Sequence, residues 1–440
     1  MRRALLVVII AVTLSVAGAL GWAGLPLQTD RTESARTVDA PALTTSGSAD
    51  ITTTIAGLQA HLRAQPADAQ SWATLGEAYV EQARLTGDPS YYDKAAKVLR
   101  QSLREQPDDN ASALAGQAAL AAARHQFSRA LATTGKALRI NPYHPVALAI
   151  RVDALTELGR YHDQLRALDR ADRRQPGLPI FTRYAYAFEL RGDLDRARAL
   201  LRRTLSPVSP PADRAFVLTI LADIDRRAGD LPAAERHLRA ALDADPDYVQ
   251  AWVGRARLAV AKGRLEQAER WWLKVTSRLP LPEYVVELGE LYLATGQPRL
   301  ARKQFAVVRT VQELFRRSGV HTDLELALFA ADHGDAAVAV RAAQSEFARR
   351  QSVHAADALA WALHAGGRSE QALPHARAAT RLGTPEARLW LHRGIIEAAT
   401  GHPVDARRHL QRGLRTDPGA SPWLADHARR ALAEIAGGDR

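Results

Sequence analysis

The chain contains no cysteine. That excludes disulfides, thiol catalysis, iron–sulfur clusters and cysteine-bound zinc together, and with them the acylated-cysteine anchor of bacterial lipoproteins. Lysine is scarce too: Lys94, Lys97, Lys136, Lys262, Lys274 and Lys303 are the only six among 59 basic residues. The rest are arginine, and the formal net charge is +11. Basic composition by itself does not point to nucleic acid; placement decides that. Catalytic signatures are also missing. There is no G-x-x-x-x-G-K-S/T loop, no H-E-x-x-H and no G-x-S-x-G. Carboxylates are plentiful, but no spacing pairs them for acid–base work. The 14 histidines are scattered. His402 and His409 lie seven apart and share a helix face, with no carboxylate at ligand spacing, so both read as surface residues. No cofactor or metal is expected.

What remains is a folded chain, with 47% apolar and 24% charged residues. At 440 residues it is too long for one ordinary core unless its architecture repeats.

Arg2 and Arg3 precede an uncharged stretch, residues 4–23, long enough to span a bilayer as a helix. The positive flank would keep the N-terminus cytoplasmic and place the remainder outside. Residues 1–25 therefore read as a signal anchor or a signal peptide. The anchor is preferred because apolar character continues through Leu20, Trp22 and Leu25. Cleavage after the small-x-small run Ala17-Gly18-Ala19 stays open. Residues 26–50 have no apolar period and are rich in Ser, Thr, Ala and Asp, which suits a flexible linker. The expected location is a single-pass membrane protein with its folded part outside the cytoplasm, or a secreted protein if the segment is cut.

From residue 51 a helical period takes over. Ile51, Ile55, Leu58 and Leu62 form one stripe, and residues 51–68 read as an N-terminal capping helix. Pro107, Pro142, Pro176, Pro210, Pro246 and Pro280 follow at gaps of 35, 34, 34, 36 and 34. Mid-unit glycines recur in step, at Gly159, Gly192, Gly229, Gly263, Gly296, Gly334, Gly367 and Gly401. A period near 34 means a solenoid of two-helix units, each divided by a glycine that ends its first helix. The acidic stretch "ADHGDA" (331–336) falls on this register and reads as a repeat turn.

These units resemble the tetratricopeptide repeat family. "WATLGEAY" (72–79) carries the first half of its signature, and Ala95, Leu99 and Pro107 follow after an insertion. Leu288, Gly289, Tyr292, Ala301 and Phe305 repeat it, as do Trp252, Ala268, Trp272 and Pro280, and Trp390, Gly394, Ala406, Leu410 and Pro418. The resemblance implies an all-α fold, a right-handed α-solenoid superhelix of about ten helix-turn-helix repeats. Repeats 1–7 would span 69–319 and repeats 8–10 span 320–420, with a longer second helix at 307–319 bending the stack between them. Residues 421–440 would form a C-terminal capping helix and tail. Trp72, Leu75, Gly76 and Tyr79 share one helix face and are expected in the core.

In this family the first helices line the concave groove and the second helices form the outer face. The resemblance thus implies a non-enzymatic protein-interaction scaffold, binding a partner protein or peptide in that groove. By register, groove positions are Glu77, Asp153, Glu157, Tyr186, Glu189 and Asp223, an acidic half. They continue as Leu293, Leu324, Leu328, Trp361, His364, Leu391 and Ile395, an apolar half. The arginines noted, among them Arg198, Arg202, Arg236, Arg377 and Arg412, fall on second helices, so their charge is spread outside. Nucleic acid is therefore an unfavoured partner. Two alternatives stand: a basic solenoid binding nucleic acid or anionic polymer, and an accessory factor of an extracytoplasmic assembly such as cytochrome maturation.

Overall fold

The computed structural model of the chain describes residues 48–205, 210–417 and 421–438. Within them the backbone is a row of helical hairpins between two single helices, α1 (Ser48–Ala64) and α22 (Pro422–Gly438). The first hairpins are α2–α3 (Ala69–Thr86, Ser90–Glu105), α4–α5 (Ala111–Ala123, Phe127–Ile140) and α6–α7 (Pro145–Glu157, Tyr161–Arg174). Then come α8–α9 (Leu178–Glu189, Leu194–Thr204), α10–α11 (Pro211–Arg227, Leu231–Ala244) and α12–α13 (Val249–Ala261, Leu265–Arg278). The last four are α14–α15 (Pro282–Ala294, Pro298–Arg317), α16–α17 (Asp323–His333, Ala336–Arg349), α18–α19 (Val353–Ala365, Ser369–Ala379) and α20–α21 (Ala387–Ala399, Pro403–Thr416). The chain is an all-α repeat solenoid. Helix α1 starts at Ser48, inside the stretch read as linker. The apolar segment 4–23 lies outside the described residues, among which no helix is long and apolar enough to cross a membrane.

Local chemistry sets the hairpin ends. Asp68, Asn110, Asp193, Asp230 and Ser352 each accept a hydrogen bond from a backbone N–H three residues on, satisfying a first-turn donor. Seven of the eight mid-unit glycines adopt a left-handed φ, from +68° at Gly263 to +83° at Gly229. Gly334 does not; its φ is −142°, and Asp335 caps the next helix instead. In the second hairpin His125 takes the left-handed place, with φ +58°.

Packing inside each hairpin puts a glycine opposite a bulky residue. A Cβ on Gly76 would lie 2.5 Å from Leu99, and one on Gly394 would lie 2.6 Å from Leu410. Leu75, Gly76 and Tyr79 are buried as expected, while Trp72 packs against the same cluster from its edge. Its ring is half-buried and its indole N–H donates to the Pro66 carbonyl at 2.8 Å. Trp252 and Trp390 do the same to Pro246 and Thr384, at 3.0 and 2.8 Å. The signature tryptophan thus ties the incoming linker to its helix. An indole N–H needs such a partner, and Trp252 and Trp390 make the bond with their rings buried.

The row winds tightly enough to touch itself. The His125 ring Nδ1 lies 2.7 Å from the His321 carbonyl, 196 residues on. The Val353 N–H donates to the Tyr161 hydroxyl at 2.9 Å, across 192 residues. The Thr384 hydroxyl donates to the Leu190 carbonyl at 2.7 Å, across 194. Arg350 pairs with Glu157 across 193, and Arg226 with Asp417 across 191. A nearly constant separation is the signature of successive superhelical turns in contact, one turn taking between five and six hairpins. Along this seam, glycine turns of the first winding meet inter-hairpin segments of the second. His125 stands where glycine would, and its ring makes a seam bond.

Candidate partner-binding groove

First helices present their inner residues to the concave side. Over α6 to α14 this surface is charged, and several of the charges are paired. Asp153 receives two bonds from Arg183, each 2.7 Å. Glu287 receives a forked pair from Arg257, the shortest 2.5 Å. Asp223 accepts from Arg226 at 2.5 Å and from Arg227 at 2.6 Å. Such bidentate geometry fixes both partners. Burial pushes the Asp223 carboxyl up, but Arg227 and Arg226 outweigh it and hold it well below the usual aspartate range. Glu189 fares differently. Arg227 stands 3.7 Å away, committed to Asp223, so burial dominates and raises Glu189 to about 8.

The second winding adds a polar chain at the same depth. Glu386 bonds His354 at 2.9 Å and Arg388 at 3.0 Å. Burial opposes its ionisation, yet Arg388 and His354 hold it well below the usual glutamate range. Asp357 bonds the His392 ring at 2.9 Å. That ring stacks on Trp361 with centroids 4.0 Å apart, and the Trp361 indole donates to Asp332 at 2.6 Å. Burial raises Asp332 to about 6. His333 lies 3.1 Å from Glu290, and the ligand atoms of Glu290, Asp332 and His333 fall within 4.8 Å of one another. Their hydrogen bonds to Trp361 and to each other make them a side-chain network.

The positions read from the sequence divide by depth. Glu77, Asp153, Asp223, Leu293, Leu328, His364 and Ile395 are partly exposed. Glu157, Tyr186, Glu189, Leu324, Trp361 and Leu391 are buried. Leu391 packs within its own hairpin, where a Cβ on Gly413 would lie 2.5 Å from its Cδ2. Glu157 is drawn into the seam by Arg350. The Tyr186 hydroxyl is buried with no hydrogen-bond partner, near Glu157, Glu189 and Glu386. Neither half keeps its expected character. In the acidic half Asp153 and Asp223 are paired by Arg183, Arg226 and Arg227 on first helices and Glu157 by Arg350, while burial raises Glu77 and Glu189 to about 8. The apolar half carries His354, Asp357, Arg388 and His392. A repeat-length signal marks some of these: Asp153–Arg183 and Arg257–Glu287 are each 30 residues apart, nearly one unit. His409 also departs from expectation. It is buried, and its ring bonds Glu397, which lies on the preceding helix rather than at local spacing.

Helix α22 bears on the same surface. It packs on α20 and α21, as a cap does, and also on α14, three hairpins earlier. The Trp423 ring lies 5.0 Å from the His333 ring. Since α14 and α20 are first helices, α22 runs along the concave side.

Comparison with known proteins agrees with this architecture. Residues 226–285 and 358–421 each match the tetratricopeptide repeat family. Among curated proteins the chain is similar to cellulose synthase 1 operon protein C of Komagataeibacter xylinus, 28% identical over 172 residues. That match covers 35% of this chain and spans only 12% of the relative's length. Among solved structures, the human IFIT1 dimer with m7Gppp-AAAA overlaps 84% of this chain and 86% of its own, at 15% identity and TM-score 0.45. A repeat protein from Parabacteroides merdae overlaps 58% of this chain and 97% of its own, at 20% identity and TM-score 0.34. At these scores the likeness carries nothing beyond stacked helical hairpins.

Proposed function

We infer that this chain, a tetratricopeptide repeat protein, is a non-enzymatic scaffold that holds a segment of a partner protein on its concave face, outside the cytoplasm. One observation carries the reading: the inner surface already seats a helix, α22, which bears on the first helices α14 and α20 and touches His333 of α16. A surface that accepts a helix of its own chain has the shape and apolar content to accept another's. The paired arginines and carboxylates of α6 to α14 supply a polar rim beside it. The location rests on Arg2, Arg3 and the uncharged stretch 4–23. The curated relative is named for a cellulose synthase operon, which fits an accessory part standing beside an enzyme.

The test is a photo-crosslinking residue placed at His364 or Asp223 in intact cells, with Leu273 on the outer face as control. The reading expects a discrete protein joined from the inner positions and not from Leu273. Identical products from inner and outer positions would reject it. Protease added to cells with a permeable outer envelope should cut the repeats; full protection would reject the location.

A further inference from the structure

Helix α22 is attached in a way the hairpin helices are not. Its inner stripe is apolar: Leu424 and Ala428 are buried, and Trp423, Ala431, Leu432 and Ile435 are half-buried. These residues belong to one apolar cluster with Leu324, Trp361 and Leu391, and with Leu328 and Ile395 at its edge. Asp426, Arg429, Arg430 and Glu434 face solvent. Among the described residues, the side-chain bonds shown for α22 are internal to it and its cap. Ser421 accepts from the Leu424 N–H, the His427 ring bonds the Trp423 carbonyl, and Arg430 pairs with Asp426. The hairpins beneath are cross-tied by Trp361–Asp332, His354–Glu386 and His392–Asp357. So, among the described residues, α22 rests on its trough through apolar packing and the Trp423–His333 ring contact, and only Leu424 and Ala428 are fully covered. A helix held so lightly opens before the elements it covers.

We propose that the trough beneath α22 is the partner-binding surface, and that the partner presents an amphipathic helix of α22's chemistry, which binds by taking α22's place. This rests on the scaffold reading and names its ligand class. The stripe specifies that class. It has an aromatic and a leucine at its start, a small residue four positions on, and two aliphatic residues over the next two turns. The opposite face is charged. Occupation by α22 lowers the apparent affinity for the partner by the fraction of time the trough is open.

The test uses the full chain and a fluorescent peptide of residues 421–438. Leu424→Asp with Ala428→Asp unseats α22 and leaves the trough untouched. This variant should bind the peptide at least tenfold more tightly than wild type, and adding Ile395→Asp should abolish binding. Equal binding by wild type and the unseated chain, or none by the unseated chain, overturns the proposal. Hydrogen exchange on the wild-type chain decides independently of any variant. Amides of α22 should exchange ahead of those in α20 and α21; equal protection overturns the proposal. If the peptide fails while the His364 crosslink persists, the scaffold stands with a different ligand. If both fail, so does the scaffold.

Discussion

Gly159 and Gly263 hold nearly the same backbone conformation, with φ of +73° and +68°, in equivalent turns of the repeat. Around Gly263 nothing lies within 4 Å of where a Cβ would stand; at Gly159 that atom would be 2.4 Å from the Gln351 carbonyl. The difference is the seam. Identical local geometry serves a free turn in one place and a contact between windings in the other. A repeat unit's role is therefore set by where it falls on the superhelix.

Charge removal at the seam should be the most damaging change. Arg350 is buried and pairs with both Glu157 and Glu346. Arg350→Ala leaves those two carboxylates without it and should cost about 3–5 kcal/mol in chemical denaturation. The glycine pair comes next. Gly263→Ala should cost about 1–2 kcal/mol for the left-handed backbone alone, and Gly159→Ala more than that, because the clash adds to the strain. Equal costs would remove the seam from the account. Smallest of all, Arg316→Ala breaks only an exposed pair with Glu313 on the outer face of α15 and should leave the denaturation midpoint unmoved.

The groove offers a second contrast, between Glu189 and Asp223 on neighbouring first helices. Glu189, raised to about 8, keeps a proton in the folded chain that the unfolded chain has lost. Its contribution to stability therefore falls as pH rises from the ordinary glutamate range toward 8. Asp223 is held low, so its contribution is lost as pH falls below the ordinary aspartate range. Glu189→Gln should flatten the decline of stability over the upper window and leave the acid limb alone. An unchanged slope would show that Arg227 neutralises Glu189 after all.

Much of the fold was legible in the residues. The proline and glycine period marked the hairpins, and the stretch read as a C-terminal capping helix, 421–440, contains α22. The seam was not legible. Contacts across about 193 residues depend on rotation accumulated over several hairpins, which no local spacing encodes. The groove was half legible. Register marks Asp153, Glu189 and Asp223 but not their neighbours Arg183, Arg227 and Arg257, which carry no repeat signature of their own on the first helices. His409 was misplaced because its partner Glu397 lies across a hairpin, 12 residues back. Trp72 stands at the edge of the core rather than inside it because one spacing serves both a packed ring and a bonded indole.

The closed winding is the claim on which the groove and its occupant depend, and the missing cysteines make it directly measurable. Arg160 and Gln351 line one crevice on opposite sides of the seam. Cysteines introduced at both would be the chain's only thiols, each carrying a spin label for pulsed dipolar spectroscopy. Touching windings predict a single narrow distance at the short end of the method's range. A broad distribution of long distances would mean that the turns stand apart, and would contradict the account.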